Sequence, residues 1–237
     1  MATDVLPESR QRPSQGIIPP LQPGDHLTRD EFERRYDATP GLKKAELIDG
    51  VVYMAPPVCF GWHSEPHSHL AGWLWVYRAH TPGVRGGADS SIRMMDAMPQ
   101  PDTLLFIDPE LGGQLRIGQD DYLEGAPELV GEVAATSAGY DLHAKLDLYR
   151  RAGVKEYLVW RTFDAEIDWF VARNEAYERL LPDSSGLLRS QAFPGLWLDV
   201  VGLLNGDIAA VLRRLQEGIA SPEHTDFVQR LAALRKQ

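Results

Sequence analysis

A single cysteine, Cys59, stands among 237 residues, so no internal disulfide can hold this chain together and apolar burial must do so. No uncharged apolar run approaches the roughly 20 residues that a spanning helix needs. The first residues also lack a basic-then-apolar leader pattern, so the expected place of action is the cytoplasm, with no membrane partner. No internal repeat is visible, which argues against solenoids and propellers. Positive charge is scarce: 24 Lys and Arg stand against 34 Asp and Glu, a formal charge of −10. That balance argues against coating nucleic acid with a broad basic surface, because phosphate neutralisation dominates such binding. It leaves room for a local site. Between Gly139 and Arg161, Lys145, Arg150, Arg151, Lys155 and Arg161 outnumber Asp141, Asp147 and Glu156 by five to three. That stretch reads equally as a solvated mixed-charge face and as a phosphate-facing one.

What is present is an ordinary globular composition, 43% hydrophobic and 24% charged, long enough for one substantial domain. Residues 1–24 hold five prolines and few large apolar groups and read as a flexible or extended tail. The folded unit is expected over 25–217, with a terminal helix over 218–237 that suits an interface as well as the core. Thr28 caps a helix through Tyr36, with Glu31 at the capping-box position. Residues 44–54 form a hairpin around Asp49-Gly50, and Glu46 on its first strand reads, by itself, as an exposed hairpin charge. His63, His67 and His69 lie close enough to suggest a transition-metal site. However, His67, Leu70, Leu74 and Tyr77 follow helical spacing, which places His67 on an inner stripe with a polar partner and leaves His63 and His69 to loop and surface. A strand is expected over 84–95, with Gly86-Gly87 as a bulge or turn.

The stretch that organises the rest runs from Gly131 to Tyr149. Residues 129–134 read as a buried strand, yet Glu132 sits in its middle, and a lone ionised carboxylate there is costly unless a cation meets it. A helix over 138–152 follows, ended by Gly153, with Leu142, Leu146 and Tyr149 as its apolar stripe and Asp141 and Lys145 on a neighbouring face. Lys145 can run its stem along that stripe and reach Glu132. Upstream, Pro101-Asp102 opens another buried strand over 103–107. Two acids at strand positions and a helix-borne Lys can converge on one point; such acids hold a hard divalent cation, and the Lys stabilises phosphate charge or orients water. Strand, helix and strand followed by hairpins indicate an α/β fold with a mixed central sheet flanked by helices.

Taken together, Glu46 to Gly50, Pro101-Asp102, Glu132-Val133-Ala134, Asp141 with Lys145 and Tyr149, Gly153 to Tyr157 and Pro194-Gly195-Leu196 resemble the family described as putative restriction endonucleases, within the PD-(D/E)XK nuclease superfamily. The resemblance spans about residues 27–207. It implies a restriction-endonuclease-like core with additional N- and C-terminal helices, Asp102, Glu132 and Glu46 around Mg²⁺ or Mn²⁺, and Lys145 as the catalytic lysine supported by Asp141 and Tyr149. The superfamily's usual pattern puts Lys two residues after the second acid; that position is Ala134 here, and the resemblance implies that the lysine has moved to the helix. The expected activity is metal-dependent hydrolysis of DNA, by a homodimer if both strands of a duplex are cut. The alternative is a nuclease-like fold without hydrolysis that binds nucleic acid or protein. A His-based Zn²⁺ enzyme ranks third.

Overall fold

The computed structural model describes residues 18–42 and 44–235; most of the expected tail lies outside them. In its described part, Leu21 is buried beside Phe32, Leu47 and Val52, and the Gly24 N–H donates to the Val52 carbonyl at 2.8 Å. Packed chain therefore begins ahead of residue 25.

Helix α1 (Arg29–Asp37) is capped by Thr28, whose hydroxyl accepts the Glu31 N–H. Strands β1 (Ala45–Ile48) and β2 (Val51–Met54) pair antiparallel across Asp49-Gly50, both at positive φ as a two-residue hairpin turn requires. A widened turn at Phe60–Ser64 leads into α2 (Glu65–Ala79). Strands β3 (Val84–Ala88), β4 (Ile92–Arg93), β5 (Thr103–Ile107), β6 (Arg116–Ile117), β7 (Leu123–Glu124) and β8 (Leu129–Ala134) follow, then the helix over 138–152, here α3. Strands β9 (Glu156–Arg161), β10 (Glu166–Arg173), β11 (Ala176–Arg179), β12 (Leu187–Arg189) and β13 (Trp197–Asp199) precede α4 (Val200–Leu204), α5 (Ile208–Ile219) and α6 (Pro222–Leu234). No helix of the described residues is long and apolar enough to cross a membrane.

Six strands form the central sheet in the order β11-β10-β9-β8-β5-β3. β8 and β9 are parallel and their other neighbours antiparallel, so the sheet is mixed as expected. A parallel pair needs a crossover, and α3 supplies it. Period-two alternation divides the sheet's side chains. Leu105, Leu129, Val133 and Leu158 face α2, α5 and α6, while Leu104, Phe106, Val130, Ala134 and Val159 face α3. α6 buries Phe227 and Leu231 in the first of these cores, which settles its place against the sheet-covering helices.

Two expectations are corrected. Gly86 and Gly87 make no bulge: they pair in register with Leu105 and Leu104. A Cβ on Gly86 would come within 2.9 Å of the Leu104 carbonyl oxygen, so close strand approach explains the residue. In α3 the buried face is Asp141, Lys145, Leu148 and Tyr149, while Leu142 and Leu146 are half-buried. The helix widens to a π-type turn over Asp141–Lys145, which shifts the inward stripe off ideal α spacing and turns its polar side chains toward the sheet.

Candidate active site

Strand parity puts Asp102 and Glu132 on one face. Asp102 shares the phase of Leu104 and Phe106, Glu132 that of Val130 and Ala134, and all point to the α3 side. The β1–β2 hairpin closes over the same end. Leu47 and Met98 exchange main-chain hydrogen bonds at 3.1 and 2.8 Å, which ties β1 to the segment entering β5. Along β1, Ala45 and Leu47 turn to α1, so Lys44, Glu46 and Ile48 turn to the sheet.

Lys145 is the centre of the cluster. Its Nζ lies 2.9 Å from Glu132 Oε1, 3.1 Å from Glu46 Oε1 and 3.5 Å from Asp141 Oδ1, with only 3% of the residue exposed. Tyr149 donates its hydroxyl to the same Glu132 oxygen at 3.0 Å. Both hydrogen bonds to Glu132 thus fall on Oε1, and Oε2 receives none among the described residues. Glu46 Oε1 also accepts the Gln100 N–H at 2.7 Å. It is buried, not the exposed hairpin charge that its strand alone suggested. Asp141 accepts from the Ser137 hydroxyl.

Asp102 occupies the place where β5 runs out. The ladder with β8 reaches Thr103–Gly131, and beyond it the Val133 N–H finds Asp102 Oδ2 at 2.8 Å. The Val133 carbonyl takes a hydrogen bond from His63 Nδ1 at 3.0 Å, which requires the proton on Nδ1 and leaves Nε2 facing Asp102 Oδ1 at 3.7 Å. Lys44 Nζ meets that Oδ1 at 2.9 Å. His67 donates from Nε2 to the Asp102 carbonyl at 2.8 Å, the polar partner its helical phase called for.

Four carboxylates (Glu46, Asp102, Glu132 and Asp141) therefore face two ammoniums, Lys44 and Lys145, in a largely buried cluster. Fully ionised, the cluster would carry a surplus of two negative charges, and two of its acids hold their protons more tightly than usual. Burial pushes the Glu132 carboxyl up to about 8, with Lys145 opposing and Asp102, Asp141 and Glu46 reinforcing the shift. Burial likewise raises Asp141. For Lys145 burial favours the neutral amine, but Glu132, Glu46 and Asp141 together hold it charged, well above the ordinary lysine value. Asp102 goes the other way: burial would raise it, and Lys44, His63 and Lys145 keep it low.

The donor chemistry fits a hard divalent cation: three carboxyl groups, with Glu132 Oε2 free of hydrogen bonds among the described residues, and full ionisation of the cluster would leave a surplus charge equal to one such ion. Among the described residues, however, no three His, Cys, Asp or Glu side chains already converge as a metal cage, because Lys145 stands between Glu46 and Glu132. The three histidines make no cage either. The His63 and His67 rings are 6.0 Å apart, each bonded to a different main-chain carbonyl.

The structure thus brings together all six side chains singled out in the sequence and adds Lys44, His63 and Tyr140. Lys44 carried a readable signal, lying two residues before Glu46 on one strand phase. His63 was weighed only with His67 and His69 as a metal ligand and left to the loop; its place beside Asp102 carried no signal, since the loop reaches Val133 only through the tertiary fold. Tyr140 lies over Lys145, with the ammonium 5.5 Å from its ring centre, and its hydroxyl is buried without a partner among the described residues. A cavity of about 510 Å³ opens onto the cluster, walled on one side by these charged groups and on the other by Met54, Pro56, Val58, Trp62 and Phe163.

A mixed sheet with a helix-bridged parallel pair, acids at adjoining strands and a helix-borne lysine defines a restriction-endonuclease-like fold of the PD-(D/E)XK type. The chain belongs to the Uma2 family, described as putative restriction endonuclease, whose profile matches residues 29–201. In shape it is similar to a solved structure described as a putative nuclease belonging to DUF820, from Anabaena variabilis. The TM-score is 0.52 at 18% identity, over 75% of this chain and 99% of that one, a likeness of fold alone. No curated protein matches the sequence.

Proposed function

We propose that the protein is a divalent-metal-dependent nuclease that hydrolyses phosphodiester bonds of DNA, with its site at Asp102, Glu132, Glu46 and Lys145. The observation that carries this reading is the Lys145 ammonium held among Glu132, Glu46 and Asp141 in a buried cluster whose four carboxyl groups outnumber its two ammoniums. Asp102, Glu132 and Glu46 would hold Mg²⁺ or Mn²⁺, which supplies Lewis-acid polarisation of a phosphoryl oxygen and an acidified water. Lys145, kept protonated by its acid neighbours, donates to a phosphate oxygen as charge builds on it or orients the attacking water. Asp141 and Tyr149 hold Lys145 and Glu132 in register, and Lys44 fixes Asp102.

Nicking of supercoiled plasmid at low salt with Mg²⁺ or Mn²⁺ tests it, with EDTA as the blank. Cutting that needs metal and is lost in Glu132→Gln and Lys145→Ala is the expected result. One feature favours a second reading, a binding module without hydrolysis: Lys145 fills the space between Glu46 and Glu132 that an ion would share. Absence of both cutting and Mn²⁺ binding by the wild type would select that reading.

A further inference from the structure

Large apolar groups stand uncovered at the mouth of the candidate site. Trp62 is 50% exposed and Phe163 54%, and both line the cavity above the carboxylates, as does Val58. The two rings lie against each other with centroids 4.6 Å apart and planes tilted by 41°. Their backbones are fixed: Thr162 donates its hydroxyl to the Trp62 carbonyl at 2.7 Å, and His63 next in sequence is bonded to Val133. A pair that served only to clip two loops together would have no reason to leave half of each ring in water.

The other walls say what such rings could meet. The lysines of the cavity are Lys44 and Lys145, and both already contact carboxylates, so little cationic surface is left to grip a run of phosphates. The reacting groups also lie deep, with Asp102 2% and Glu132 3% exposed. A cavity of about 510 Å³ accepts one nucleotide of a thin, flexible strand, whereas a paired duplex, a stiff cylinder, brings its backbone to the floor only where its strands open, as negative supercoiling promotes. Unpaired bases offer π faces, and stacking on aromatic side chains is how sequence-tolerant single-strand binders gain affinity where phosphate contacts are few.

We propose that the substrate of this site is unpaired nucleic acid, a single strand, flap or frayed end, and that Trp62 with Phe163 forms the platform on which the base next to the scissile phosphate stacks. The inference rests on the nuclease reading for the phosphate's position; the platform itself is tested by binding alone. A strand threaded this way is cut singly, so no second copy of the chain is called for.

The test is fluorescence anisotropy of a short labelled oligonucleotide, single-stranded or annealed, with the full-length protein in Ca²⁺, a hard cation of looser coordination than Mg²⁺. Wild type is expected to bind the single strand at least about 10-fold tighter than the duplex, as stacking of one or two bases implies. Trp62→Ala should weaken single-strand binding roughly 10-fold and leave duplex binding unchanged, while Trp62→Phe keeps most of it. Removing one base from the oligonucleotide should cost wild type affinity and cost Trp62→Ala nothing. With two free phosphate contacts at most, the logarithm of affinity should fall with that of salt by a slope no steeper than about −1.4. Duplex binding as tight as single-strand binding, equal losses on both with Trp62→Ala, or no binding at all would overturn the proposal. Absence of Mg²⁺- or Mn²⁺-dependent cutting of the same single-stranded oligonucleotide, together with the expected anisotropy pattern, would sink hydrolysis and leave the platform standing.

Discussion

Of the three buried acids on or next to the parallel strands β8 and β9, two stand where the pair begins and one lies within β8, and they are held in opposite ways. Glu128, just before β8, accepts the Ile107 and Gln114 N–H groups, and Glu156, first in β9, accepts the Gln191 and Ala192 N–H groups and the Ser190 hydroxyl. Each uses both oxygens on its own chain's donors and so pins a loop to the sheet. Glu132, four residues along β8 from Glu128, is met by a lysine and a tyrosine on one oxygen only. Burial of a carboxylate is therefore not by itself the mark of a site. The mark is a buried acid whose partners are other ionisable groups and whose hydrogen-bonding capacity is left incomplete.

The sharpest way to break this comparison is to exchange the outcomes. Glu132→Gln should lower metal-dependent cleavage by roughly 10²- to 10³-fold, the scale of losing one charge-stabilising group. It should leave the melting temperature of the metal-free protein equal or higher, because burial already favours the neutral carboxyl at that position and the amide stands in for it. Glu156→Ala should do the reverse. It strands three donors, two of them main-chain, and should cost about 3 kcal/mol by urea unfolding, with activity per folded molecule unchanged. A Glu156→Ala protein as stable as wild type would dissolve the distinction.

Much of this contrast was legible before the fold. Glu132 stood out as a charge inside an apolar run, and the hairpin, the Asp102 strand and the crossover helix followed from period and turn chemistry. Glu46 was misread because a four-residue strand cannot reveal that the Leu47–Met98 contact folds it inward. The stripe on α3 was misread because α spacing assumes an unbroken helix, and the π-type turn at Asp141–Lys145 instead buries two members of the polar cluster, Asp141 and Lys145. The places of His63 and Trp62 stayed hidden because a loop's position is written in its long-range partners, Val133 and Thr162. Glu128 and Glu156 border their strands and gave no hint of their difference from Glu132, since main-chain donors have no letter in a sequence.

A smaller effect sharpens the same comparison through pH. The Glu132 carboxyl moves from 4.5 to about 8 on folding, so between those values the folded protein holds a proton that the unfolded chain has released. Its stabilising contribution is complete below the unfolded value and is lost as pH rises through about 8. Asp141 and Glu156 shift in the same direction, and Asp102, held low, contributes with the opposite sign at acid pH. Melting in EDTA should thus fall as pH rises over that window, and less steeply in Glu132→Gln. An unchanged slope in the variant would place the bound proton elsewhere.

The smallest effect belongs to the exposed rim of the structural pair. Lys155 lies 3.5 Å from Glu128 Oε1 but is half in solvent, where an ion pair is screened and its desolvated partner already has two main-chain donors. Lys155→Ala should therefore change stability by no more than about 0.5 kcal/mol. Lys145→Ala removes a lysine of the same charge from a place where three acids depend on it, and should cost several times that, recovered in part by Lys145→Ala combined with Glu132→Gln. The double-mutant coupling reads out what the comparison asserts. Two lysines beside two buried glutamates on one strand differ because one glutamate is completed by the backbone and the other is completed only by the site.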